Sequence, residues 1–366
     1  MDSSQTEKSR KFAISGYVKD LVTVSVPSLG GTWTFDNLIH NRINFKYFAR
    51  PWLTVQIEGR NRLFFGNTIQ NTVDFKEQLK TLDFIPLAGS IAEQKPYLLY
   101  SNIDRALLRI EREKWSVSFG KQRINWSKTF AWNPNDIFNA YSFYDFDYEE
   151  RRGCDAALIK YNINPLSTFE LASTVDSNIE SLKIASNYRF NFHEFDYQLI
   201  IGKYSTDIVC GVGWAGQLRD AGFKGEISWF RPYITDSGKS TLIGDVSFDY
   251  SLSNNLTFRG EAIINTNPLK KSSIQFLSQP LTAKALVNNY ISVFSSIGYD
   301  ITPLIKTSGT CIWNIDDKSF FINPSLDYSI SNNVSFFIAA QVFTGAKRSL
   351  YDNLGSYFFT RLKFNF

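Results

Sequence analysis

The chain has 366 residues, 16% of them aromatic with 32 phenylalanines, 20% charged, and a net charge of +4. No run of about 18 apolar residues occurs, which excludes an α-helical membrane span, and the small, evenly spread charge argues against a nucleic-acid partner. Two histidines and the scattered Cys154, Cys210 and Cys311, without a CxxC or Cys/His cluster, offer no metal site, no disulfide framework and no cofactor. A soluble core does not need so many rings. A transmembrane barrel does, because only every second residue faces lipid and aromatic girdles mark both interfaces.

The first ten residues are polar and read as disordered, with no apolar segment of a signal peptide. Met1 is the only methionine, as expected for a start codon placed before a mature, already processed sequence. From Lys11 onward the chain reads as one domain, residues 11–366, of about eighteen strands of roughly ten alternating residues each. They centre near residues 17, 43, 58, 106, 118, 158, 171, 186, 199, 211, 226, 246, 260, 293, 309, 324, 338 and 361. Ile43, Phe45 and Tyr47 alternate with Arg42, Asn44 and Lys46. One face is greasy and the other wet. A soluble β-sandwich alternates too, so the connections decide. Residues 27–37, 66–95 and 125–152 are long, whereas 49–51, 113–114 and 164–167 are tight, the long-loop, short-turn alternation of a barrel. Within the second long loop, Phe75 to Leu82 could form a short amphipathic helix. Between residues 177 and 220 the links are all short; 268–287 and 345–355 are long again.

Three features resemble Gram-negative outer-membrane porins. The chain ends on the alternating Leu362-Lys363-Phe364-Asn365-Phe366, like the C-terminal signal those barrels present. The third loop, residues 125–152, is long, like the segment porins fold into the lumen. Gly120-Lys121-Gln122-Arg123-Ile124-Asn125-Trp126 followed by Trp132-Asn133-Pro134-Asn135-Asp136 is similar to a strand-to-loop motif of some porin-like barrels. The resemblance implies an all-β, antiparallel up-and-down transmembrane barrel in the bacterial outer membrane, passing small polar solutes. It also implies that Phe364 and Phe366 signal to the barrel-assembly machinery, and that outer-membrane lipid is the surrounding partner. The alternative is a plugged barrel serving as a structural or assembly subunit of a larger membrane complex; a homo-oligomer is compatible with both.

Parity places Arg42, Lys46, Arg60, Arg62, Arg105 and Arg109 on the inner wall as a basic ladder, with strands about 4.8 Å apart. The third loop carries Asp136, Asp145, Asp147, Glu149 and Glu150. Folded inward, it would set those carboxylates opposite the ladder and create a transverse field; alternatively the arginines pair with wall residues Glu58 and Glu111. Its rings, including Trp126, Trp132, Tyr144 and Tyr148, either pack the loop against the wall or offer faces to sugars. His40 shares the lumen parity of Arg42, and His193 falls in a turn. Neither belongs to a Ser/His/acid arrangement, and adjacent loop acids are ordinarily solvated or paired with Arg151 and Arg152. No catalytic residue is assigned.

Overall fold

A computed structural model describes residues 11–28, 30–80, 83–145, 150–176, 179–233, 238–270, 272, 275–276 and 281–366; the expectation for residues 1–10 lies outside them. The alternating segments become β1 (Phe12–Val26), β2 (Thr34–Arg50), β3 (Leu53–Gly66), β4 (Ala88–Gln94), β5 (Tyr97–Arg112) and β6 (Trp115–Gln122). After the third loop come β7 (Cys154–Asn164), β8 (Ser167–Thr174), β9 (Lys183–Phe192), β10 (Phe195–Tyr204), β11 (Asp207–Leu218) and β12 (Ala221–Pro232). The last third adds β13 (Thr241–Ser251), β14 (Leu256–Asn265), β15 (Ile291–Thr302), β16 (Ile305–Asn314), β17 (Ser319–Ser329), β18 (Val334–Gly345) and β19 (Ser356–Asn365). Each of the eighteen expected centres falls within one of these strands. Phe75–Leu79 is a 3₁₀ turn following the short helix α1, Asn67–Asn71, so the expected helix is shorter; residues 81 and 82 lie outside the described residues.

All neighbours pair antiparallel, and β19 pairs back to β1. Closure is required because lipid cannot satisfy the N–H and C=O groups of a free edge. The seam runs from Val26↔Ser356 to Tyr17↔Asn365, and Gly16 and Phe366 exchange both backbone hydrogen bonds at 2.9 Å. A Cβ on Gly16 would stand 2.8 Å from the Phe366 ring and 2.2 Å from the Arg42 carbonyl oxygen. The glycine therefore makes room for the last residue.

Eighteen strands form the ring; β4 is additional. It pairs with the loop-end half of β5, whose other half pairs with β6. The stretch before β4 continues the wall, through an Asp83↔Asp176 bridge and an Ile85 amide bound to Asp155 at 2.8 Å. β6 can thus stop at Gln122 while its place is taken by β4, which frees the chain after Gln122 to turn inward.

Burial is inverted relative to a soluble protein. Val18, Ile43, Ile57, Leu199, Leu242 and Phe364 are exposed on the outside, while Lys19, Arg42, Asn187, Gln198, Glu226 and Ser247 are buried inside. That is the pattern of a barrel whose solvent is lipid outside and water within. Phe366→Asp should cut the fraction of folded barrel several-fold in heat-modifiable gel mobility, because it replaces the ring over Gly16 with a charge at the lipid-facing seam. Unchanged folded yield would show that the seam does not need that ring.

Candidate pore constriction

The third loop, over residues 123–145 and 150–153, enters the lumen, and the far wall holds it. A chain segment inside a barrel brings amide groups that have no ladder to join. Two wall carboxylates take them. Glu226 of β12 accepts the Asn135 amide at 2.7 Å as well as those of Lys128 and Thr129, and Glu261 of β14 accepts Phe130, Ala131 and Trp132 at 2.7 to 3.1 Å. Each bond satisfies a buried amide whose loss of a partner would cost about 1 to 3 kcal/mol. Asn135 seals the contact by donating to the Val212 carbonyl at 2.9 Å and accepting from Ser228 at 2.7 Å. A Cβ at Gly211 or Gly213 would meet the Asn135 amide at 2.8 and 3.0 Å, so the wall is glycine where the loop touches it. The Asn-Pro-Asn motif is a docking device.

Apolar packing completes the attachment. Trp126, Trp132, Ile137 and Phe138 are buried in one cluster with wall residues such as Phe230 and Ile263. Trp126 also donates to Glu170 at 2.7 Å, and the Tyr144 carbonyl accepts from Gln341 at 2.8 Å while its hydroxyl meets that of Tyr351. Of the two uses open to these rings, Trp126, Trp132 and Tyr144 serve packing. Tyr148 lies outside the described residues.

On the opposite wall Arg42 and Arg60 are buried inward, and Arg105 and Arg109 line a lumen cavity. Arg42 is fully buried, bonded to Glu58 at 2.5 Å and Asp104 at 2.6 Å. Arg60 reaches Asp104 at 3.2 Å, and Arg105 reaches Glu58 at 3.1 Å. Arg62 lies over the Phe64 and Tyr100 rings, Lys46 is exposed and Arg109 half-buried. His40 packs edge-on to Tyr17 within this wall. Glu58 is thus a partner as expected; Glu111 is exposed. Asp104, which sequence reasoning passed over, is the second counter-charge. Strict alternation from Arg105 would point it outward; a register shift on β5, where Glu58 faces Arg105 and Gly59 faces Ile103, turns it inward.

Among the described residues, the acids of the loop do not form a row across the gap. Glu150 joins the ladder itself, accepting from Tyr17 at 2.9 Å and lying 4.0 Å from Arg42, while its carbonyl binds Arg105 at 2.8 Å. Asp145 is exposed, and Asp147 and Glu149 lie outside the described residues. Asp136 is buried beneath the loop, 3.8 Å from Arg123. The reason is the far wall. Glu226, Asp245 and Glu261, on consecutive strands β12 to β14, already occupy that wall, and the loop presents amides to Glu226 and Glu261. Between ladder and loop lies a cavity of ≈ 210 Å³ lined by Gln56, Arg105, Leu107, Arg109, Gln122, Arg123 and Asn125. Its lining holds three guanidinium groups and no carboxylate.

Burial pushes the Asp136 carboxyl up to about 7, against the opposing pull of Arg123 and Arg151. The folded chain therefore keeps a proton that the unfolded chain releases near 4, so this group's contribution to stability falls as pH rises from about 4 through about 7. Asp136→Asn should gain thermal stability relative to the wild type between about pH 5 and pH 8. A pH-independent difference in melting temperature would show that Asp136 is not held protonated.

No family model matches the chain, and no curated protein matches it. Solved structures do match over nearly the whole length. OccAB1 of Acinetobacter baumannii is 10% identical with a TM-score of 0.63, covering 100% of this chain and 99% of its own. The outer membrane protein OprD of Pseudomonas aeruginosa is 9% identical with a TM-score of 0.62, over 97% and 93%. A BenF-like porin of Pseudomonas fluorescens is 10% identical with a TM-score of 0.59, over 98% of both chains. The chain has the fold of the OprD-type porins.

Proposed function

We propose that the chain is an outer-membrane channel for small polar solutes, with the cavity between the basic wall and the third loop as its narrowest aqueous step. The observation that carries this reading is the charge of that cavity. Arg105, Arg109 and Arg123 line it without an acid among the lining residues, and no carboxylate lies within salt-bridge distance of Arg109 among the described residues. Such a site attracts anionic groups, carboxylates above all, because a guanidinium meets a carboxylate in a two-bond fork. A volume of ≈ 210 Å³ equals about seven water molecules at ~30 Å³ each, which suits a small organic acid. Nearer the loop end, a second cavity of ≈ 460 Å³ is lined by Lys270 and Arg348 together with Asp316, Asp317 and Asp352, a mixed vestibule that admits either sign.

The fold shared with porins supports a channel in place of an enzyme. So does the placement of the histidines, His40 packed into the wall and His193 in the turn between β9 and β10. The pore-lining role of the ladder is revised in this reading. Arg42 and Arg60, fixed by Glu58 and Asp104, shape the wall, whereas Arg105 and Arg109 meet the solute.

Replacing Arg109 and Arg123 with serine should move the reversal potential across a salt gradient toward cation selectivity. The shift should grow at low salt, as the Debye length extends from about 8 Å to about 30 Å. Wild-type selectivity in low salt would mean that these arginines do not line the conducting path, and absence of any current would favour the plugged subunit.

A further inference from the structure

Two cations stand together on the outer face of the barrel, at its loop end. Lys203 of β10 and Arg231 of β12 take outward parity, set by the buried, inward Tyr204 and Phe230 beside them. Both pair with Ile208 of β11, so they flank one exposed isoleucine in a single row across three strands. Among the described residues, the other strand cations turn into the lumen or stand near the periplasmic turns, apart from Lys121, which is buried against Asp83 and Asp155. Neither Lys203 nor Arg231 has a described carboxylate within salt-bridge distance, and Asp207, next to Ile208, turns inward to Lys284 at 2.8 Å.

Their surroundings fit an anionic head group. The long loops mark this end of the barrel as the outer-leaflet side, and β10 and β11 are joined there by Ser205 and Thr206 alone, so the connection above Lys203 and Ile208 is short. The Tyr233 hydroxyl donates to the Ser205 carbonyl at 3.0 Å, which fixes its ring 5.9 Å from the Lys203 ammonium. The two charged residues are two strands apart, about 10 Å at their Cα atoms, and their long side chains can converge on one group between them. One step toward the membrane centre the outward row is Ser186, Ile201, Cys210 and Trp229. The small Cys210 between the exposed Ile201 and Trp229 leaves a furrow open to a hydrocarbon chain.

We propose that Lys203 and Arg231 form a binding site for a phosphorylated glycolipid of the outer leaflet, with a phosphate held between the ammonium and the guanidinium and an acyl chain along the Cys210 furrow. Charge complementarity selects the head group. Cations at the membrane surface attract anionic lipid head groups, and a guanidinium fork matches phosphate oxygens. The apolar surface beneath selects a lipid over a soluble anion. A free phosphate would leave Ile201, Ile208 and Trp229 without a partner, whereas an acylated one covers them with hydrocarbon while its phosphate stays at the level of the two cations.

Titrating the purified, delipidated barrel with lipid A, a phosphorylated and acylated glucosamine disaccharide, and reading the bound fraction by native mass spectrometry tests this. Lipid A should bind the wild type, and its dephosphorylated form should bind about tenfold more weakly. Lys203→Gln with Arg231→Gln should weaken lipid A binding about tenfold while heat-modifiable mobility stays that of a folded barrel. Arg259→Gln, a change at a cation over the Phe130 ring of the third loop, should leave lipid A binding unchanged. Should the double variant fold poorly, Arg231→Gln alone should weaken binding several-fold. No binding of lipid A, equal binding of the dephosphorylated lipid, full affinity in the variants, or displacement of the lipid by equimolar inorganic phosphate would overturn the proposal.

Discussion

Unpaired backbone amides are the constraint on which this structure turns. In hydrocarbon no water is available to satisfy them, so the sheet must close, and it does so through the reciprocal bonds of Gly16 and Phe366. Inside the barrel the same problem returns for the loop that enters it. There the answer is side chains: Glu226 and Glu261 accept the amides of residues 128 to 132 and 135. The loop is therefore held by its backbone, and its rings are left to fill the space against the wall.

That arrangement also distributes charge. The wall of β2, β3 and β5 concentrates guanidinium groups, partly neutralised by Glu58 and Asp104. The wall of β12 to β14 buries the carboxyl groups of Glu226, Asp245 and Glu261. Amide dipoles of the loop shield the second set from the lumen, whereas Arg105, Arg109 and Arg123 face the cavity directly. The aqueous side is thus positive, and the net field at the gap is set by one wall more than by two.

Much of the barrel was legible in sequence because its signal is strictly local. A two-residue period placed the eighteen strands, and parity put His40, Arg42 and Arg60 inside. β4 escaped notice because Ala-Gly-Ser-Ile-Ala-Glu-Gln carries no strong alternation and exists to fill the gap over the shortened β6. The partners of the loop acids were equally hidden. Which carboxylate faces which arginine depends on how the loop bends, and that is decided by Glu226 and Glu261, about a hundred residues away in sequence. Their inward parity was readable; their role as amide acceptors was not, because nothing local distinguishes a lumen glutamate that binds water from one that binds a loop.

The most direct measurement is single-channel conductance in planar bilayers of the wild type beside Glu226→Ala with Glu261→Ala. Removing both acceptors frees the amides of the loop and leaves the strands paired. The wild type should show small, steady conductance steps, and the double variant larger and noisier ones, with the folded barrel retained. Steps identical in size and noise for the two proteins, or no steps in either, would contradict a conducting path gated in width by this loop.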